Sequence, residues 1–152
     1  MKKTLCILLT ALMLLTMMPF GAQAVETDSH VEYIYEEDGS YLKVTITEVR
    51  SRAHTTITAS KKAEYINADG VLVWDAVLAG SFSYDGTIAI CNYATIDVTT
   101  YKSAYALNSK SVGKRSNYAY ATFSINTLFT GIVVATNTYD MTLTCDKNGN
   151  LS

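Results

Sequence analysis

Apolar and polar residues alternate along most of this chain, most regularly over 71–91. Leu72, Trp74, Ala76, Leu78, Phe82 and Tyr84 occupy even positions, while the odd ones include Asp75, Ser81 and Ser83. A period of two is that of a strand with one buried face. Asp85-Gly86 then predicts a two-residue hairpin turn, with glycine supplying a positive φ. Setting Tyr84 opposite Thr87 places Phe82 against Ala89, Gly80 against Cys91 and Leu78 against Tyr93. Opposed residues share a sheet face, so Cys91 joins Trp74 and Phe82 on the buried side. This register turns Ile88 and Ile90 the other way, which requires either a second covered face or a bulge that shifts the pairing by one.

The same alternation recurs before and after that hairpin. Val25 to Ser29 is polar and reads as a frayed start. Val31, Tyr33 and Tyr35 alternate with Glu32, Ile34 and Glu36, and Glu37-Asp-Gly-Ser40 turns the chain. Leu42, Val44 and Ile46 carry the return strand to a charged break at Arg50-Ser-Arg52. Residues 54–65 admit a helical turn at Lys61-Lys-Ala-Glu64, but the turn at Asn67-Ala-Asp-Gly70 favours a strand. Further strands are expected over 87–101 (broken near Asn92), 103–112, 118–125 and 132–145. In the last, Tyr139, Met141, Leu143 and Cys145 share one phase. About eight strands with frequent turns predict an all-β, single-domain antiparallel β-sandwich, immunoglobulin-like in architecture, with a small barrel as the alternative.

The first 24 residues stand outside that pattern. Lys2 and Lys3 precede an apolar run from Leu5 to Met18, and Ala22-Gln-Ala24 has the small-x-small form of a cleavage site. This predicts a secretory signal peptide over 1–24 and a mature domain over 25–152, secreted and without a transmembrane anchor. Cys6 stands at the start of the apolar run and not after it behind a small-residue box, which argues against lipid attachment. The mature chain keeps Cys91 and Cys145, all eleven tyrosines, no proline, and ten Lys and Arg against fourteen Asp and Glu. Net acidity argues against nucleic acid as a partner.

Cys91 and Cys145 each end an apolar alternation in an exported chain, so a disulfide between them is expected, with two free buried thiols as the alternative. They lack partners at zinc spacing, and no metal or cofactor is expected. Trp74, in phase with leucines, reads as a core plug more readily than as a stacking platform. Tyr101, Tyr105, Tyr118 and Tyr120 are candidates for an exposed stripe that binds a cell-wall, glycan or protein ligand. The competing reading is half-buried tyrosines at sheet edges. Lys110, Lys114 and Arg115 read as a solvated basic turn.

Catalysis finds little support. The mature chain has only His30 and His54, and no nucleophile-elbow, metalloprotease or cysteine–histidine motif. Asp75, Asp97 and Asp140 form a carboxylate pair only if the fold brings two of them together. Asp146-x-Asn148-Gly149-Asn150 reads as a terminal turn and not as a calcium loop, which needs a downstream glutamate.

Trp74, Gly80-x-Phe82-x-Tyr84-x-Gly86, Cys91 and the terminal Thr144-Cys-x-x-Asn148-Gly-x-Leu-Ser152 resemble a family of small uncharacterised secreted proteins of Gram-positive bacteria. The resemblance covers residues 71–152. It implies a Gram-positive source and favours the cysteine pair, and it brings no active site. The expected function is a non-enzymatic binding or surface-interaction module. The alternatives are a small secreted enzyme or inhibitor (a wall hydrolase or protease inhibitor) and a surface protein that self-associates through sheet edges unguarded by proline.

Overall fold

The computed structural model describes residues 25–51 and 55–152; the expected signal peptide and His54 lie outside them. Eight strands follow one another: β1 (Val25–Tyr35), β2 (Tyr41–Ser51), β3 (Thr56–Ile66), β4 (Leu72–Tyr84), β5 (Ala89–Thr100), β6 (Tyr105–Arg115), β7 (Tyr118–Phe129) and β8 (Ile132–Thr144). They form two antiparallel sheets, ordered β1-β2-β3-β4-β5 and β6-β7-β8. The chain changes sheet once, between β5 and β6. The sandwich therefore shares its two-layer architecture with immunoglobulin domains, but its strand order is a meander without a Greek-key return. Among the described residues β1 and β8 do not pair, so the barrel alternative is excluded.

The core lies where the alternation puts it. Trp74, Ala76, Leu78 and Phe82 of β4 are buried against Ala119, Ala121, Phe123 and Ile125 of β7 and Met141 and Leu143 of β8. Trp74, 1% exposed, stacks on Tyr65 at 5.6 Å and meets the edge of Phe123 at 5.4 Å and Tyr139 at 4.7 Å. It is the core plug. Gly80 keeps room for this packing, since a Cβ there would stand 2.9 Å from the Phe82 ring.

Two expectations require correction. The chain does not fray at Val25: Val25 to Ser29 pairs with Ser51 to Thr47, through the expected charged break, because backbone pairing continues where the side chains give no signal. The Asp85-Gly86 turn is wider than two residues. Its carboxylate accepts the N–H groups of Thr87 and Ile88 at 2.8 and 2.9 Å, which stabilises a four-residue connection and places Tyr84 opposite Ala89 and Phe82 opposite Cys91. A bulge is also present, at Asn92, but it lies beyond Ile90 and so is not the one that would turn Ile88 and Ile90 inward. It switches the buried phase of β5 from Ala89 and Cys91 to Ile96 and Val98, and leaves Ile88 and Ile90 exposed.

Candidate functional site

The two sides of the sandwich are built differently. On one side β5 and β6 run beside each other at the edges of their sheets. Lys110 and Lys114 stand opposite Phe123 and Ala119, on the inward face of β6, and reach across to β5. Lys110 approaches the Ile96 carbonyl at 3.5 Å, and Lys114 donates to the Asn92 carbonyl. These lysines cap a sheet edge with inward-pointing charge. All three basic residues are exposed, as the sequence reading expects, but they lie in β6 and not in a turn.

The other side is open. Among the described residues, a five-stranded sheet facing a three-stranded one leaves the inner face of β1 and β2 and part of β3 only partly covered, with Leu42 and Ile46 half-buried at its margin. Its rows follow from the register: Asp28, Glu48 and Ala59; His30, Ile46 and Lys61; Glu32, Val44 and Ala63; Ile34, Leu42 and Tyr65. This face is the floor of a groove of about 600 Å³ whose far wall is the tail, Asn150 to Ser152. A second recess of about 230 Å³ continues it along Asp140 to Thr142 of β8, down to Trp74 and Phe123. The floor is half-apolar (Ile34, Leu42, Val44, Ile46) and half-charged.

The wall carries the most informative contact. Thr144 donates its N–H to the Ser152 carbonyl at 2.8 Å, and Ser152 returns the bond to the Thr144 carbonyl at 3.0 Å. The tail thus adds one antiparallel rung to the outer edge of β8, continued by the Cys145–Leu151 bridge. Three contacts hold the tail there. Arg50, paired with Glu48 at 2.7 Å, donates to the Gly149 carbonyl at 2.9 Å. Asp146 accepts the N–H groups of Asn148 and Asn150, both at 2.8 Å, which makes this segment a turn; these bonds hold its carboxyl below the usual range. The Tyr84 ring lies so close over Gly149 that a Cβ would meet it at 2.5 Å.

Backbone groups alternate in direction along an antiparallel strand. Since Thr144 faces outward, so do Thr142, Asp140 and Thr138. Lys61, from the floor, donates to the Thr142 carbonyl at 3.1 Å. Beyond that contact, among the described residues, the outer edge of β8 runs on without a neighbouring strand. From Ser116 to Tyr139 the sequence contains no charged residue.

The residues singled out from sequence are not gathered at this groove. Cys91 and Cys145 are both buried and neighbouring, their N–H groups held by the successive carbonyls of Ser116 and Asn117 at 2.7 and 2.9 Å. They are nonetheless free thiols, which corrects the expected bridge. Each sulfur is turned to a carbonyl of its own segment, Cys91 to Tyr93 at 3.3 Å and Cys145 to Asp146 at 3.4 Å. Burial, with Asp146 and then Glu48 nearby, pushes the Cys145 thiol up to about 11, and burial raises Cys91 as well.

The four candidate tyrosines divide between opposite ends of the molecule. Tyr118 and Tyr120, with rings 6.0 Å apart, lie near the β6–β7 turn, and Tyr120 covers Gly113. Tyr101 and Tyr105 flank the β5–β6 connection. Tyr105 packs on the core, and Tyr101 donates to Asp75 at 3.1 Å, which raises its own pKa. They make no continuous stripe. A different cluster does form, at Tyr33, Tyr35 and Tyr41 on the outer face of β1–β2, with centroids 5.5 to 6.4 Å apart. The alternation of Val31, Tyr33 and Tyr35 signals it in the sequence, once that face is known to lack a covering layer.

The carboxylates do not converge either. Asp75 bridges to Lys62 at 3.1 Å, within a ladder that continues through Glu64 to Lys43; Asp97 faces Lys110, and Asp140, in the three-stranded sheet, accepts from its cross-strand neighbour Thr122. His30 is exposed on the groove floor. Among the described residues no group of three or more His, Cys, Asp and Glu is placed to hold a metal ion, and no helix is long and apolar enough to cross a membrane. Comparison with protein-family models, curated proteins and solved structures finds no match in any of the three.

Proposed function

We propose that this chain is an exported, non-enzymatic binding module that takes up an extended polypeptide segment along the outer edge of β8. The observation that carries this reading is the Thr144–Ser152 rung. The edge already accepts one antiparallel residue pair there, and the next outward-facing groups, at Thr142, Asp140 and Thr138, continue the same ladder. Strand addition of this kind draws affinity from main-chain hydrogen bonds and specificity from the pockets beneath alternate side chains. Here those pockets are the half-apolar floor of β1–β3 and the recess over Trp74. The export part rests on Lys2-Lys3, the apolar run and Ala22-Gln-Ala24, in keeping with the Gram-positive secreted family that the chain resembles.

Asp140→Pro tests the reading. Proline at an outward-facing position of an edge strand removes a donor from the guest and none from β7. Peptides selected from a random library on the wild type should alternate apolar and polar residues, and should lose binding to this variant while its fold is kept. Peptides that bind both proteins equally would refute strand addition.

The Tyr33, Tyr35 and Tyr41 cluster favours a second reading, a flat aromatic surface for a glycan. Under it, Tyr33→Ser with Tyr35→Ser would abolish retention on insoluble cell-wall polysaccharide, and Asp140→Pro would not.

A further inference from the structure

The tip of the β7–β8 hairpin exposes an apolar surface that the groove does not use. Tyr105 opposite Thr127 is the last rung β7 makes with β6, so the chain beyond it projects as a two-stranded ribbon. Thr130 and Gly131, with φ of 50° and 82°, form its turn. Phe129 pairs with Ile132, and Leu128 with Val133, so the two apolar pairs lie on opposite faces of the ribbon; Val134 is the extra residue of a bulge. Phe129 is 70% exposed and Ile132 67%.

We propose that this tip inserts into the interfacial region of a lipid bilayer. Three features select a bilayer over a protein partner. A protein surface covers one face of a ribbon, whereas this ribbon is apolar on both faces, which suits a medium that surrounds it. The surrounding sequence carries no charge from Ser116 to Tyr139, so entry removes no ion from water. The one side-chain hydroxyl of the turn, on Thr130, donates to the Phe129 carbonyl at 2.8 Å and enters already satisfied.

The base of the ribbon is suited to the headgroup level. Leu128 donates to the Ala104 carbonyl at 2.7 Å, tying the β5–β6 connection against it. That connection presents Tyr101, 51% exposed, and the exposed Lys102. Tyrosine and lysine are the residues that sit where hydrocarbon meets water. Phe129 lies two residue steps beyond Thr127, about 7 Å of strand, which matches the roughly 5–10 Å reached by interfacial elements.

The test uses residues 25–152, which hold all eight strands, and vesicles of phosphatidylcholine with and without phosphatidylglycerol. The wild type should co-sediment with vesicles, and Phe129→Ser with Ile132→Ser should weaken partitioning by about tenfold or more. Far-UV circular dichroism checks the fold of that variant. Independently, Phe129→Trp should give an indole quenched by brominated lipid, while Trp74, buried in the core, stays unquenched. Three results would overturn the proposal: no partitioning to either vesicle, partitioning that survives the double substitution, or an unquenched indole at 129. A ribbon that instead joins two copies of the chain would give that last result together with a dimer that the double substitution dissolves.

Discussion

At the scale of single residues, Trp74 and the two cysteines show what a sequence can and cannot say. Trp74 was legible as a plug because its phase agrees with Leu72, Ala76 and Leu78. Trp74→Ala should cost about 3–5 kcal/mol in denaturant unfolding, since Tyr65, Phe123 and Tyr139 all lose their common contact. An unchanged midpoint would place the ring outside the core. The cysteines were legible as buried neighbours but not as thiols, because the side-chain rotamer that turns each sulfur to a carbonyl of its own segment leaves no mark in the sequence. With the Cys145 thiol at about 11, roughly one molecule in ten thousand carries that thiolate at neutral pH. Iodoacetamide should therefore label neither cysteine in the folded domain over 25–152 and both after unfolding. A mass two hydrogens lighter, with no labelling after unfolding, would show the bridge instead.

Elements follow from alternation, and their limits follow from pairing. The strands of the β4–β5 hairpin were evident in the sequence, yet its register was not. Asp85 widens the turn with its own carboxylate, and Asn92 adds a residue that reverses the buried phase. Neither effect leaves a mark in the apolar pattern before Ile96 and Val98 reappear at even positions. Contacts across the groove were less legible still. Lys61 reads from sequence only as part of a segment that admits a helical turn but favours a strand; in the fold it crosses the groove to the Thr142 carbonyl. It competes there with any guest strand. Lys61→Met should tighten binding of a peptide selected on the wild type, seen as a lower Kd in fluorescence anisotropy. Weaker binding would mean that the lysine contacts the guest and does not merely guard the edge.

The whole molecule has one capped side and one open side, and this asymmetry underlies its proposed function. The candidate site was illegible because it depends on a mismatch in strand number, five against three, that no local pattern encodes. His30, Glu32, Ile46 and Lys61 become groove residues only because β6–β8 stop short of covering β1 and β2. The tyrosines of sequence interest fell apart for a different reason, since the β6–β7 pairing sets Tyr105 and Tyr118 at opposite ends of one sheet. The central claim is that the outer edge of β8 is free in the isolated protein and becomes paired when a peptide binds. Amide hydrogen exchange, resolved by residue, measures this directly. Thr138, Asp140 and Thr142 should exchange rapidly in the free domain, while Tyr139, Met141, Leu143 and the tail-paired Thr144 are protected. A bound peptide should then slow the three fast amides together. Equal protection along β8 without a peptide, or fast exchange that a bound peptide leaves unchanged, would contradict the account.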